Sequence, residues 1–218
     1  MVSLDQIDDA KKFHQNKESV YYVASPLRYN AVIRWIKNNI NKDEVLSVRS
    51  ISSSYLPDWR PGQDYRKTYS AYKKMGGGVS IDLIHEWDYL TYLFGLPKKI
   101  LSMIGKHSDL EIDSDDYAIY IAEYQNMTVE LHLDYFGRNT IREIEIITKN
   151  ETIIGDILNN QLKFLKSGKI IEFQEIRDDY QKRELEYFLS LISNNNVNEN
   201  WYMHGITVLD LTQGRLQL

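Results

Sequence analysis

The sequence lacks cysteine altogether among its 218 residues. Disulfides, thiolate metal sites and a cysteine nucleophile are therefore excluded, and we expect a cytoplasmic protein. There is no basic excess, because 26 Lys and Arg face 31 Asp and Glu for a net charge of -5. No stripe of clustered Lys and Arg is present either, so no nucleic-acid partner is expected. The longest apolar runs fall short of the ~20 residues that a membrane span needs, and the first residues do not have the pattern of a secretory signal.

Aromatic residues are plentiful, with 16 tyrosines and 4 tryptophans. Tyr and Trp side chains are apolar yet able to hydrogen-bond, which suits sugar sites and interfaces, although most should lie in the core or the sheet. The length fits one large domain or two small ones.

The first quarter of the chain alternates between helix and strand patterns. Ser3 and Gln6 form a capping box that predicts a short helix to about Asn16. The segments predicted after it are a strand over 19–25, an amphipathic helix over 28–40 and a strand-rich stretch over 44–55.

Beyond Gly95 the apolar period changes from helical to alternating. "MTVELHLDYF" places Val129, Leu131, Leu133 and Tyr135 on one face, as expected of a strand with one buried side. Short links join successive strands, which implies antiparallel pairing. Further strands are predicted within 98–108, 117–124, 141–149, 151–157, 161–166 and 169–175, followed by helices near 179–194 and 204–214, with a short helical piece at 67–74.

These elements predict an α+β fold, an open and mostly antiparallel sheet with helices packed on one face. The uncovered face would carry tyrosine, tryptophan and β-branched residues, and such a face tends to find a partner. We therefore expect a homo-oligomer, a dimer or tetramer formed through the open face of the sheet.

The segment "MGGGVSIDLIHEWDYLTYLFG" joins a triple glycine to a helical pattern that carries acids and a histidine. On a helical wheel Asp82, His85, Glu86 and Tyr89 fall within a stripe about 100° wide. An Asp and a His three residues apart can hydrogen-bond, which suits a general base that deprotonates a hydroxyl as its carbon loses hydride. The glycines would let backbone approach a ligand. The alternative, a solvated polar face after an ordinary turn, stays open on spacing alone.

The stretch "LPDWRPGQ" precedes that helix and holds two prolines and a glycine in eight residues. No regular element tolerates this composition, so it predicts a loop. The loop presents Asp58, Trp59 and Arg60.

"GGGVSIDLIHEWDYLTYLFG", preceded by "YLPDWRPGQDYRKTYSA", resembles the glucose–fructose oxidoreductase / inositol dehydrogenase / MocA (Gfo/Idh/MocA) family. "VASPLRYNAVIRWIKNNI" and "VELHLDYFGRNTIREIEIITKNETIIGDI" extend the resemblance in both directions. It implies a two-domain enzyme, in which an N-terminal Rossmann domain binds NAD or NADP. The C-terminal domain, of the dihydrodipicolinate-reductase-like type, supplies the substrate pocket for a sugar, nucleotide sugar, inositol or related polyol.

The resemblance also implies roles for individual residues. His85 would be the acid/base, and Asp82 its partner or a contact to a substrate hydroxyl. In many relatives the acid precedes the histidine by four residues rather than three, which is a departure at Asp82. Further pocket residues implied in the same way are Arg28, Trp59, Arg60, Asp64 and Tyr65.

The dinucleotide fingerprint is the larger departure, because no G-x-G-x-x-G follows a strand anywhere in the sequence. Residues 1–25 are accordingly predicted to be a remnant, the last helix and strand, of a nucleotide-binding domain. Residues 26–218 are predicted to form the substrate-binding and oligomerisation domain. We expect this chain alone to bind no nicotinamide cofactor and to be inactive in hydride transfer.

Two other functions are compatible with the residues. One is a stand-alone, non-catalytic sugar-binding or assembly module. The other is a metal hydrolase that uses His85, His107 and His132 with Glu130 and Asp134. The second is disfavoured because the spacing of these residues is not that of a metal site, and no metal is expected.

Overall fold

An eight-stranded sheet dominates this computed structural model, which describes residue 9 and residues 20–193 and 201–215. Its strands are β1 (Val45–Tyr55), β2 (Lys99–Gly105), β3 (Tyr117–Glu123), β4 (Thr128–Asp134), β5 (Phe136–Thr148), β6 (Thr152–Asp156), β7 (Gln161–Phe164) and β8 (Ile170–Glu172). They lie in the order β2-β3-β4-β1-β5-β6-β7-β8. The helices are α1 (Ala31–Asn39), α2 (Val79–Asp82), α3 (Ile84–Phe94), α4 (Arg177–Ser193) and α5 (Trp201–Thr212).

Strand pairing is antiparallel throughout the sheet except between β1 and β4, which are parallel. A parallel pair needs a long crossover, and the segment between β1 and β4 supplies it with helices α2 and α3 and the hairpin of β2 and β3. The predicted fold, an α+β arrangement on an open and mostly antiparallel sheet, is confirmed.

Alternating burial separates the two faces of the sheet. Val129, Leu131 and Leu133 of β4 are buried, as their spacing predicts. They face a core to which the helices contribute, and the ring of Trp87 on α3 packs edge-on against Tyr120 of β3 at 5.3 Å. The other face has large apolar side chains in solvent: Leu101, Met103 and Ile121 are 58%, 63% and 53% exposed.

Helix α1 begins three residues later than the predicted start at residue 28. Pro26–Tyr29 forms a 3-10 turn instead, and the side chain of Asn30 accepts a hydrogen bond from the Val32 amide at 3.0 Å. This N-cap satisfies an amide that the helix itself leaves free, so the helix begins after Asn30. The helical piece predicted at 67–74 is a series of 3-10 turns at Tyr65–Lys67, Tyr69–Ala71 and Lys73–Met75.

The strand predicted over 19–25 is not formed, since residues 20–25 have no strand structure. A strand exists only where a neighbour accepts and donates its backbone hydrogen bonds, and no described strand lies beside this segment. The helix predicted from Ser3 to Asn16 lies outside the described residues, apart from Asp9. The division of the chain at residue 25 stays a prediction.

The two C-terminal helices lie within a few residues of their predicted positions at 179–194 and 204–214. In the part of the chain that the structure describes, no helix has the length and apolarity needed to cross a bilayer.

Candidate active-site cleft

The helix that carries Asp82 and His85 is broken between them. Helix α2 ends at Asp82 and α3 starts at Ile84, with Leu83 at φ -100° and ψ 29° between the two. A helical wheel assumes one continuous helix, so the predicted polar stripe is wrong. Two of its members, Glu86 and Tyr89, are fully buried at 0% exposure, which also excludes a solvated face.

Asp82 turns towards the sheet rather than towards His85. The hydroxyl of Tyr135 donates to Asp82 Oδ2 at 2.6 Å, and within the described residues no hydrogen bond joins Asp82 to His85. Burial raises the pKa of the Asp82 carboxyl despite hydrogen bonds from neighbouring hydroxyls. Burial and the adjacent Asp82 charge also raise the pKa of Tyr135 well above its usual range. The Tyr135 hydroxyl therefore keeps its proton and donates a short hydrogen bond to the Asp82 carboxyl at the end of β4.

His85 lies in the first turn of α3 and lines a cleft of about 580 Å³. Burial lowers the pKa of its imidazole below the ordinary value of 6.5, and the charge of Arg142 acts in the same direction against the nearby acids. The ring is thus neutral at pH 7. No other described residue hydrogen-bonds to it, so a ring nitrogen is available to a ligand in the cleft.

Arg142 and Glu86 form a buried ion pair behind the histidine. Arg142 Nε lies 3.0 Å from Glu86 Oε1, although the geometry falls short of a hydrogen bond. A carboxylate with no exposed surface needs such a counter-charge, because an unpaired buried charge costs several kcal/mol. The pair ties α3 to β5 and holds the guanidinium of Arg142 at the wall of the cleft.

Trp59 and Arg60 reach the same cleft from the loop after β1. The Trp59 ring meets Tyr135 edge-on at 5.2 Å, and its Nε1 donates to Ser54 Oγ at 2.8 Å. The indole is thereby fixed in place, with one side towards the cavity. The other lining residues include Asp58, Thr140, Ile141, Leu158 and Arg177.

Residues 33–154, more than half of the chain, match the GFO/IDH/MocA C-terminal domain. The chain belongs to the Gfo/Idh/MocA family. No curated protein matches the chain in sequence.

Solved structures with the same fold include dehydrogenases named for levoglucosan, UDP-N-acetylglucosamine and myo-inositol. Levoglucosan dehydrogenase in complex with NADH is 16% identical with a TM-score of 0.79 over 95% of this chain and 67% of its own. UDP-N-acetylglucosamine 3-dehydrogenase GnnA from Acidithiobacillus ferrooxidans is 16% identical, TM-score 0.74, over 98% of this chain and 65% of its own. Myo-inositol 2-dehydrogenase from Lactobacillus plantarum is 14% identical, TM-score 0.72, over 97% and 66%. The chain thus spans about two thirds of the length of these structures, and identities this low show the fold alone.

Three residues that the family resemblance placed in the pocket lie elsewhere. Arg28 is 5% exposed and donates two hydrogen bonds to the Asp88 carboxylate, at 2.8 and 2.6 Å. Asp64 accepts from Arg66 on the surface. The Tyr65 hydroxyl accepts from the Glu111 amide at 3.2 Å. Their side chains are thus committed to other protein groups, whereas His85, Asp82, Trp59 and Arg60 share the cleft.

The triple glycine contacts protein rather than a ligand, contrary to expectation. A Cβ at Gly77 would overlap the backbone carbonyl of Tyr69, and one at Gly78 would overlap the Asp115 carboxylate. Gly78 also has φ 123°, which side chains rarely adopt. Asp115 accepts from the Ser80 amide at 2.9 Å, so the start of α2 already holds an anion from the chain itself. This turn does not fit the pyrophosphate of a dinucleotide.

Tyr135, Arg142 and Arg177 are cleft residues or direct supports that the sequence analysis did not single out. The arginine-containing turn before "IEIITK" was a signal for Arg142, because the family resemblance included it. Tyr135 was predicted only as a buried strand residue. No pattern links Arg177 to the cleft, since α4 follows β8 far along the chain.

Metal ligands do not cluster anywhere in residues 20–193 and 201–215. His107 stacks on Tyr117 at 4.0 Å, and His132 Nε2 lies 3.1 Å from Asp134 Oδ2 on the strand. Neither is a cleft residue, so the geometry offers no support for a metal hydrolase.

Proposed function

We propose that this chain is the substrate-binding and oligomerisation domain of an NAD(P)-dependent oxidoreductase that acts on a sugar, nucleotide sugar, inositol or related polyol. The observation that carries the proposal is the placement of His85, a neutral imidazole with an available nitrogen, in a cleft of about 580 Å³ beside the Asp82–Tyr135 pair. Family membership and the dehydrogenases that share the fold support it.

The cleft residues have properties that suit a polyol. A neutral imidazole accepts the proton of a hydroxyl, and Asp82, held by the buried Tyr135, offers carboxylate oxygens to a neighbouring hydroxyl. The apolar face of a sugar ring stacks on an aromatic side chain, and Trp59 is fixed at the wall for that purpose. Every one of these contacts concerns substrate binding and proton movement.

The described residues do not fit a nicotinamide dinucleotide. The one glycine-rich turn is filled by Tyr69 and Asp115, and the sequence has no dinucleotide fingerprint. We propose that NAD or NADP, the group that exchanges hydride with the substrate carbon, is held by a separate nucleotide-binding domain. The chain alone is then inactive and binds no cofactor.

Binding of sugars to the isolated chain tests this proposal. The chain has 5 histidines, so the ring resonances of His85 are readily assigned by comparison with His85→Asn. We expect millimolar myo-inositol or D-glucose to shift the His85 ring signals, because the ligand enters the cleft beside it. NAD⁺ at the same concentration is expected to shift none of them.

The exposed His107 is the internal control, because it lies away from the cleft and its signals should stay in place. A panel of sugars and polyols that leaves His85 unchanged would contradict the substrate-binding role. A shift caused by NAD⁺ would contradict the assignment of the cofactor to another domain.

We also propose that a second copy of the chain covers the open face of the sheet. Leu101, Met103 and Ile121 lie there in solvent, and Arg49 beside Glu145 supplies charges of both signs. A two-fold interface places the same patch on both partners, so such a mixed surface can be complementary to itself.

Met103→Glu is expected to convert the oligomer into a monomer, because it buries a charge in that interface. Light scattering at micromolar concentrations measures the change. Leu185→Glu is the matched control, since Leu185 is 55% exposed but lies on helix α4 rather than on a strand of the sheet. A wild-type chain that is monomeric at these concentrations would exclude the interface.

A further inference from the structure

Arg60 and Arg177 stand out in the cleft because neither pairs with a carboxylate among the described residues. Arg60 has its guanidinium 5.3 Å from the centre of the Tyr69 ring, and its charge also acts on Asp82. Arg177 begins α4, is exposed and also lines the cleft. Elsewhere, exposed or half-buried arginines such as Arg49, Arg66 and Arg183 do pair with acids.

The arginines of the cleft differ in whether a carboxylate already holds them. Arg142 is neutralised by the buried Glu86. Asp82 accepts from the Tyr135 hydroxyl and feels the charge of Arg60, but within the described residues the two form no ion pair. Asp58 is the other acid of the lining, and no described ion pair joins it to Arg60 or Arg177.

The net charge of the whole chain, -5, acts in the opposite direction but over a longer range. At physiological salt the Debye length is about 8 Å, so exposed charges beyond the cleft are largely screened. Guanidinium groups in direct contact with a ligand are not screened in this way. They bind carboxylate and phosphate oxygens through pairs of parallel N–H donors.

We infer that the substrate of this cleft is an acidic sugar, a polyhydroxylated ring that carries a carboxylate or phosphate group held by Arg60 and Arg177. The inference rests on the proposed function, in which the ring lies over Trp59 with a hydroxyl at His85. It adds the chemical class that the cleft selects. Both anions share the oxygen geometry that an arginine recognises.

The test compares three probes on the isolated chain, observed through the His85 ring signals: D-glucose, D-glucuronate and D-glucose 6-phosphate. We expect at least one of the two anionic probes to bind about tenfold or more tightly than glucose, as charge-assisted hydrogen bonds provide. The tighter of the two identifies carboxylate or phosphate as the group. The ratio of anion to glucose affinity is expected to fall towards one in Arg60→Gln and in Arg177→Gln.

Arg34→Gln is the control variant, because Arg34 is exposed on α1 and does not line this cleft. It removes the same charge from the chain and should leave the ratio at its wild-type value. Equal affinities for all three probes, or an anion preference that survives both cleft variants, would overturn the inference while the sugar-binding role stands. Absence of any shift at His85 with all three would overturn both.

Discussion

Arg28→Met is expected to lower the free energy of unfolding by about 3–5 kcal/mol, the usual cost of leaving one member of a buried ion pair alone. The side chains of Arg28 and Asp88 are 5% and 10% exposed, and two hydrogen bonds join them. They connect the 3-10 turn before α1 to the middle of α3. Without the guanidinium, the Asp88 carboxylate stays buried with His204 Nε2 at 3.6 Å as its nearest described basic group. Urea unfolding at pH 7 measures the loss.

The pH dependence of this effect follows from Asp88. Burial raises the pKa of its carboxyl, but His204 and Arg28 outweigh burial and hold it below the ordinary 3.8. A carboxyl whose pKa is lower in the folded state than in the unfolded state stabilises the fold at pH values above its unfolded-state pKa. That stabilisation is lost as pH falls through its folded-state pKa. Removing Arg28 raises the pKa of the Asp88 carboxyl in the folded state. As pH falls, the buried charge of the variant is therefore neutralised by protonation at a higher pH than in wild type. The difference in the free energy of unfolding between wild type and Arg28→Met is therefore largest near neutral pH and becomes smaller in acid.

Arg66→Met is the matched control on the surface. Arg66 hydrogen-bonds to Asp64 and Glu111, but its side chain is 50% exposed. Exposed ion pairs contribute little to stability because solvent screens them, so the loss of Arg66 should have a much smaller effect than the loss of Arg28. A second variant, Arg28→Met with Asp88→Leu, removes both buried charges and should recover most of the stability. If Arg28→Met costs no more than Arg66→Met, the pair does not have the structural role assigned to it.

The strands were predictable from sequence because the information for them is local. Alternation across β4 alone indicates which face Val129 and Leu131 bury, and short links indicate antiparallel neighbours. The parallel pairing of β1 with β4 is not local, since it depends on a crossover of many residues. The strand expected at 19–25 failed for a related reason. A strand-like sequence forms a strand only where a neighbouring strand can pair with its backbone.

Tertiary contacts decided the parts of the site that the sequence could not predict. The break at Leu83 and the Tyr135 hydroxyl together turn Asp82 away from the predicted partner. Arg28 precedes a helix in the family resemblance, but only the folded chain places Asp88 against it, 60 residues away in sequence. His85, Trp59 and Arg60 were predicted to share a pocket, and their common cleft is consistent with that prediction.

His85→Asn is expected to reduce kcat/KM by roughly 10²–10⁴-fold in the dehydrogenase of which we propose this chain is a part. The variant keeps a polar side chain of similar reach but removes the group that accepts the hydroxyl proton. Because no described residue hydrogen-bonds to the ring, the substitution should change the free energy of unfolding little. Nicotinamide absorbance measures the rate, and urea unfolding of the isolated chain confirms that folding is unaffected.

The pH profile distinguishes a proton acceptor from a residue that only fills space. Burial lowers the pKa of His85 below 6.5, so the ring is neutral and competent at pH 7 and loses activity only in more acidic buffer. Burial of His85 also makes folding depend on pH, because the folded state resists protonation of the ring. The stability is at its full value above the unfolded-state pKa of the imidazole and is lost as pH falls through the lower folded-state pKa. His85 in the isolated chain should titrate below the ordinary histidine value by NMR, and the acid limb of kcat/KM should vanish in His85→Asn.

The exposed His107, which stacks on Tyr117 outside the cleft, is the control for these measurements. His107→Asn should leave both the rate and its acid limb at wild-type values. A His85→Asn enzyme that retains its rate within a few-fold, or keeps the same acid limb, would exclude His85 as the acceptor. The proton would then have to pass to another group of the cleft, and Asp82, which accepts a short hydrogen bond from the buried Tyr135, is the nearest candidate along the chain.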